Sequence, residues 1–523
     1  MQEYEFWPDK IAKELVKKWK VKKQVITTGT SMSGEPHIGS ANDVVRADAI
    51  RLALVNIGAK VDLIWISDNM DPFRSVPADM PKELINYLGI PACNIPDFWG
   101  CHKSFTAHFE DKFIEELKIL LTKPKILLGN EMYKKGMYNE MILLAMEKRQ
   151  EIAKILNKYR TQPLPKEWYP VNIICENCGK ISTTKILSYE NGEAEYVCSE
   201  SEKILHKKYA ISGCGYVGKV SILNGHAKLT WRVEWPARWV FLKTTCEPFG
   251  KEHAAAGGSW DTGKKIVKLL GWKPPYPVVY EHFLVNGQKM SKSLGNVITV
   301  SDMLKYMTPQ QLRYWLFQGR LTIAKNIVLS KLVPQTFKEF DKAERIFFGI
   351  ESTKNKRKDQ NYKRAYLLAV VKPKRSIQIP FNVLLEIVKI LPESGQLEFA
   401  IKKLKEMGYV EAGEKAQTEI ERKLALVKKY YEDFLKPKVV EIKLTENERK
   451  AIADLVKEIE KETEGEILQT KIFKIAQSYG LIPAEFFKIL YKIIFGIEKG
   501  PRLGPYLIAA KSDVIKKLKN AIK

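Results

Sequence analysis

The stretch Gln24-Val25-Ile26-Thr27-Thr28, then the run from Gly29 to Pro36, then His37-Ile38-Gly39-Ser40 decides how this chain folds. Its first five residues are largely apolar or β-branched and read as a buried strand. The Gly- and Ser-rich run after it reads as a turn. From Ile38 onward, Val44, Val45, Ala49, Leu52 and Val55 recur at helical spacing and leave one apolar stripe. Strand, glycine-rich turn and helix N-terminus together suit anions, because the first N–H groups of a helix lack intrahelical partners and sit at the positive end of its dipole. His37 stands at that point. A lone turn histidine is more often a surface hydrogen-bonder, and Gly39 could merely permit close helix packing.

A second motif about 250 residues downstream shifts that balance. Lys289-Met290-Ser291-Lys292-Ser293 follows the turn Asn286-Gly287-Gln288 and precedes Leu294-Gly295-Asn296, so it reads as a mobile loop carrying two flexible point charges and two hydroxyls toward phosphate oxygens. An ordinary solvated basic turn is the alternative for this motif alone. Val61 to Ser67 is a second strand, ending in Asp68 and Asp71 at the edge where open α/β sheets bind ligands. Pro277 to Val285 reads as a final strand that delivers the lysine loop to the same crevice. The expected fold is therefore α/β: a Rossmann-like parallel-sheet catalytic domain with a zinc-binding insertion, followed by a mostly α-helical C-terminal region. We set its limits at 1–94 and 233–300 for the catalytic domain, 95–232 for the insertion, 301–352 for a helical connecting domain and 353–523 for the helical region. Helices are also expected over Lys10 to Trp19, Ile114 to Leu121 and Met137 to Tyr159, with the sheet resuming near Trp235.

A length of 523 residues is too great for one ordinary core and suits about three or four domains. With 86 basic residues against 61 acidic, the formal charge of +25 fits a polyanionic partner whose binding weakens as salt rises. Part of that excess could equally be surface chemistry of a heat-adapted protein. No unbroken apolar run of about 18 residues and no signal-like N-terminus appear, which argues against a membrane protein and for the cytoplasm. The stretch from Lys354 to Arg375 carries nine basic residues against one acid; it begins as a linker and meets either RNA or solvent.

Seven cysteines, two of them as Cys175-x-x-Cys178, point to metal rather than to a disulfide framework in such a setting. Cys175-Glu176-Asn177-Cys178-Gly179-Lys180 reads as a knuckle turn, and Cys198 and Cys214 complete four thiolates for a closed structural zinc site. His206 could replace one of the later cysteines. A second cluster, Asp97, Cys101, His102 and His108, offers four further zinc ligands, so one or two structural sites are expected. Its alternative is a helix start with Asp97 as the cap.

The two phosphate motifs resemble the paired ATP motifs of class I aminoacyl-tRNA synthetases, usually written HIGH and KMSKS. The second is intact, whereas Ser40 replaces the second histidine of the first. Thr28 to Ser40, Trp235-Pro236-Ala237-Arg238-Trp239, Phe249 to His253, Gly257 to Gly263, Glu281 to Thr299 and Gly500 to Pro505 look most like class I lysyl-tRNA synthetases of the archaeal type, over nearly the whole chain. The resemblance implies ATP-dependent ligation of L-lysine to its tRNA through a lysyl-adenylate, with magnesium accompanying ATP. It also implies acceptor-end binding by the insertion, anticodon binding by the helical region, and activation that waits for bound tRNA. His37, Lys289 and Lys292 become the expected catalytic residues. Pro36, Gly39, Ser40, Gly257, Gly258, Met290, Ser291 and Ser293 join them around ATP, and Gly29, Ser31, Asp68, Glu234, Trp235 and His253 around lysine. Phe486, Phe487, Tyr491, Phe495 and Arg502 could offer stacking surfaces to RNA, although most of these aromatics suit a core. The other readings are a small-molecule adenylating enzyme of related fold, a noncatalytic RNA-binding relative, and a glutamyl, arginyl or cysteinyl synthetase. The long basic helical region disfavours the first, and the intact lysines disfavour the second.

Overall fold

Five parallel strands form the central sheet: β1 (Gln24–Ser31), β2 (Val61–Asp68), β3 (Lys125–Leu128), β4 (Cys246–Gly250) and β5 (Tyr276–Tyr280). Their spatial order is β3-β2-β1-β4-β5. Each of the four neighbouring pairs is parallel. The direction of winding therefore reverses between β1 and β4, and a crevice opens there at the carboxyl ends of the strands. This computed structural model describes residues 5–78, 80–200, 204–206, 209–290, 295–409, 414–436 and 442–523, with the backbone alone for 204–206 and 414–416.

Helix α1 (Trp7–Lys18) precedes β1, and α2 (Ile38–Asn56) crosses from β1 to β2. Val44, Val45 and Ala49 of α2 are fully buried, but of the expected stripe Leu52 is half-buried and Val55 exposed, the buried face continuing instead through Ile50, Ala53 and Leu54. The expected helix near Ile114 is longer, α3 (Phe105–Ile119), and its cap is Ser104, whose Oγ accepts from the Ala107 N–H at 3.3 Å. Asp97 is therefore not the cap. Its carboxylate instead accepts from the Cys101 and His102 N–H groups at 2.6 and 2.7 Å.

Three expectations are corrected. Met137 to Tyr159 is not one helix: Lys148 at ψ 14° breaks it into Asn139–Glu147 and Arg149–Asn157. Trp235 lies not at the start of a strand but inside helix α4 (Trp231–Leu242), and the sheet resumes at Cys246. Pro277 to Val285 is not one strand. After β5, the Glu281 N–H turns away to the Leu321 carbonyl at 2.9 Å, and Phe283–Val285 enters a separate sheet between Gln288–Lys289 and Lys325–Ile327. The lysine motif thus hangs from a small sheet of its own. The basic stretch starts outside any helix at Lys354 and Asn355, and Asn355 caps the helix Lys356–Val370 that carries most of it.

The chain divides into two compact units. One comprises Met1–Leu304, Thr308–Val328 and Ala343–Pro373, and the other Lys305–Met307, Leu329–Lys342 and Lys374–Lys523. The second unit is helical. Its core gathers Ile452, Leu455, Leu468, Ile472, Leu490 and Leu507 from successive helices. Phe486 is buried in that core, and Phe487, Tyr491 and Phe495 pack against it. Packing, rather than base stacking, accounts for those four rings.

Within the first unit, Arg313 is completely buried on the helix Pro309–Phe317. It donates to Asp48 Oδ2 at 2.9 Å, to the Leu120 and Leu368 carbonyls at 2.7 and 2.9 Å, and to Thr122 Oγ1 at 2.7 Å. One guanidinium joins α2, the turn after α3 and the Lys356–Val370 helix. Replacing Arg313 by Met leaves Asp48 with only Arg51 and strips two buried carbonyls of a donor, so urea unfolding should show a loss of about 3 kcal/mol or more.

Candidate active site

The turn after β1 places His37 as the N-cap of α2, in extended backbone at φ −108°. Its Nδ1 accepts from the Gly39 N–H at 3.0 Å and the Ser40 N–H at 3.3 Å. An accepting Nδ1 puts the proton of the neutral ring on Nε2, which can therefore donate. Both N–H groups expected to meet phosphate are thus engaged by the imidazole itself. Gly39 is required by this cap, because a Cβ there would lie 2.7 Å from the imidazole Cε1. The Ile38 N–H donates to the Ile298 carbonyl at 2.9 Å, tying the first motif to the segment beyond the second. Met290 closes the join: its Cε lies 3.5 Å from where a Cβ on Gly39 would stand.

His37, Gly39, Ser40, Lys289 and Met290 line one rim of a cleft of about 230 Å³ at the switch point. The floor comes from Gly29, Asp68 and Glu247 at the strand ends, and the far wall from Trp231, Trp235 and His253. Asp68 Oδ1 accepts from Arg238 Nη2 at 2.5 Å. Arg238 is 1% exposed, and its Nη1 has no hydrogen-bond partner among the described residues. A Cβ on Gly29 would come within 3.0 Å of Asp68 Oδ2 and 3.2 Å of Arg238 Nη1, so glycine opens the path to both groups. Burial raises the Asp68 pKa to about 6, outweighing the pull of Arg238, while Glu234 and Asp71 add to the rise.

Glu234 belongs behind this wall, not on it. It is buried, pairs with Lys228, stands 3.8 Å from Arg238 and accepts from the Tyr133 hydroxyl at 3.1 Å. Lys228 also reaches Asp71 at 2.9 Å, and Tyr138 accepts from Arg238 Nε at 3.2 Å. Three carboxylates, Asp68, Asp71 and Glu234, face two cations, Lys228 and Arg238. With all five ionised, the wall carries one surplus negative charge.

Of the other expected residues, Trp235 and His253 line the cleft with ring centroids 5.4 Å apart. Burial lowers the His253 pKa and keeps its ring neutral. Ser31, the last residue of β1, is exposed and outside the lining. Pro36, Gly257 and Gly258 are also outside the lining. Ser291, Lys292 and Ser293 lie outside the described residues. Sequence reasoning gave no role to Glu247, Arg238, Asn42 or Asp43. The available signal was a charge inside an aromatic or apolar run: Glu234 and Arg238 four apart among tryptophans, and Glu247 alone in a buried strand.

Two metal-ligand clusters lie in the same unit. Cys175, Cys178, Cys198 and Cys214 bring their sulfurs within 4.8 Å of one another, with Cys175 3.7 Å from Cys214 and Cys178 3.6 Å from Cys198. Thiolates about 2.3 Å from a tetrahedral zinc are spaced at about 3.8 Å, so the set fits that ion. The His206 side chain lies outside the described residues. Asp97, Cys101, His102 and His108 also converge, Cys101 Sγ lying 3.0 Å from His102 Nδ1 and 3.2 Å from His108 Nδ1.

A parallel sheet with a switch point, a histidine capping the helix at its first crossover and a lysine on the same rim of the cleft make up a nucleotide-binding α/β fold. The family described as tRNA synthetases class I (K) matches residues 5–388. A lysine–tRNA ligase from Thermococcus kodakarensis is 36% identical over 538 residues, covering 98% of this chain and 99% of that protein. One from Archaeoglobus fulgidus is 33% identical over 510 residues, covering 96% of each. Among solved structures, a glutamate tRNA ligase from Elizabethkingia meningosepticum aligns at a TM-score of 0.43 and 15% identity, covering 95% of this chain and 99% of that one. This chain belongs to the class I tRNA synthetases of the lysine type.

Gly39→Ala tests the cap directly. The added methyl displaces the His37 ring and with it Nε2, so kcat/KM for ATP in adenylate formation should fall roughly 10²-fold while the melting temperature changes little.

Proposed function

We propose that this chain activates L-lysine with ATP to lysyl-adenylate and pyrophosphate, then transfers the lysyl group to the terminal hydroxyl of a lysine-accepting tRNA, releasing AMP. The observation that carries this reading is the single cleft with His37 and Lys289 on one rim and buried carboxylates on its floor. A lysine carboxylate oxygen attacks the α-phosphorus in line as the bond to pyrophosphate breaks, and negative charge gathers on phosphate oxygens. His37 donates from Nε2, and Lys289 supplies positive charge that need not reorganise far. Lys292, Ser291 and Ser293 take the same task from the motif, and Pro36, Gly257 and Gly258 act as backbone supports around the nucleotide. Magnesium, held by the phosphates themselves, offsets their charge. Asp68 and the free Nη1 of Arg238, opened to the ligand by Gly29, receive the polar end of the amino acid, and Trp235 and His253 wall its stem. Glu234 acts through Arg238, as a positioning residue. Ser31 has no direct part in this scheme.

Zinc held by Cys175, Cys178, Cys198 and Cys214 staples the short strands of the insertion, and the Asp97, Cys101, His102 and His108 set takes a second ion. Neither enters the chemistry. Residues 95–232 meet the acceptor end, 301–352 connect, and 353–523 bind the anticodon, in keeping with the net charge of +25. No helix among the described residues is long and apolar enough to cross a membrane. We assign the enzyme to the cytoplasm, where ATP and tRNA are found.

Charging assays with each radiolabelled amino acid and total tRNA should show transfer of lysine alone; transfer of another amino acid without lysine contradicts the proposal. Metal analysis gives an independent check on the insertion, since Cys178→Ala should remove one equivalent of zinc and leave it prone to proteolysis.

A further inference from the structure

Glu247 stands on β4 at the centre of the cleft floor, 3% exposed, and all of its partners are neutral. The indole N–H of Trp235 donates to Oε1 at 2.8 Å. Oε2 accepts from the Trp239 indole and from the Thr27 hydroxyl, the latter at 2.9 Å. Among the described residues, no lysine, arginine or histidine lies within ion-pair distance of it. Asp68, its neighbour across the floor, holds Arg238, whereas Glu247 holds no cation. A buried carboxylate with three donors and no countercharge is costly unless it is protonated or meets a cation. Oε1 has accepted only one hydrogen bond, so it keeps room for another donor. Trp235, Trp239, Phe249 and His253 pack ring against ring around it, an apolar sleeve that ends in a single acid.

We propose that Glu247 is the specificity-determining residue that receives the side-chain ammonium of the substrate, with the methylene stem lying along Trp235. This rests on the lysine reading above and names the group that makes the choice. Lysine supplies the one countercharge that Glu247 lacks. A neutral stem of the same length leaves the carboxylate unpaired, and an acidic side chain meets repulsion. Two indole donors fix the carboxylate in place before the substrate arrives, so little ordering is needed on binding.

The same arrangement makes binding proton-linked. Burial pushes the Glu247 pKa up to about 7, against the opposing pull of the Trp235, Trp239 and Thr27 hydrogen bonds and of Arg238 on α4. Asp43 on α2 interacts with it, Asp68, Glu252, Glu281 and His282 line the same cleft, and the neutral His253 completes the surroundings. An ammonium at Oε1 lowers that pKa. Binding at a pH where the Glu247 carboxyl is partly protonated therefore releases protons from it.

The test is calorimetry on the full-length protein with the lysyl sulfamoyl-adenosine and norleucyl sulfamoyl-adenosine analogues, in two buffers of different ionisation enthalpy. The two analogues share every group except the ammonium, so their difference isolates it. The wild type should bind the lysyl analogue at least 10²-fold more tightly and release more protons with it between about pH 6 and 8. In Glu247→Gln, which keeps the size of the side chain and an acceptor for one of the two indoles, the two affinities should converge and the extra proton release should vanish. Equal proton release in the wild type, or undiminished discrimination in Glu247→Gln, overturns the role of Glu247 and leaves lysine as the substrate. No discrimination in the wild type instead overturns the choice of lysine itself.

Discussion

The ion pair between Arg238 and Asp68 joins the helix that follows the long insertion to the end of the strand that precedes it. Everything at the cleft floor depends on that join. It draws Tyr138, Glu234 and, through Glu234, Lys228 and Tyr133 into one buried lattice. A buried pair of this kind adds little to net stability, since desolvation offsets most of the attraction, but loss of one member strands the other. Its contribution is to fix geometry. Gly29 on β1 is small enough to leave both members open to a ligand, so the same contact serves the fold and the site.

The cleft divides its electrostatics between floor and rim. Carboxylates from β2 and β4 lie below, while the histidine cap of α2 and Lys289 stand above. A molecule that is cationic at one end and polyanionic at the other fits in one orientation only, which is what an amino acid joined to a nucleotide requires. The excess of basic residues over acidic ones across the chain suits the polyanionic tRNA. Neither property can be inferred from the other.

Much of this was legible in the sequence where the signal was local. The β1, turn and α2 unit showed itself through a change of hydrophobic period within about thirty residues. The four cysteines announced their site by residue type. What stayed hidden depended on pairing across long stretches of chain. Asp68 and Arg238 lie 170 positions apart, and nothing near Glu234 reveals that Lys228 and Tyr133 engage it and keep it off the cleft wall. Ser31, the last residue of β1, is exposed where Thr30 before it is buried, a change that the local residue types do not announce. The break after Tyr280 was invisible because both halves of Pro277 to Val285 have strand propensity, and only the bond from Glu281 to Leu321 separates them.

A crystal structure of the protein with a non-hydrolysable lysyl-adenylate analogue tests the central claim most directly. The account predicts the phosphate mimic within hydrogen-bond distance of His37 Nε2, and the amino acid between Gly29 and Trp235 with its backbone end near Asp68 and Arg238. An analogue bound away from the crevice between β1 and β4, or bound there with its adenosine against the tryptophans, would contradict it.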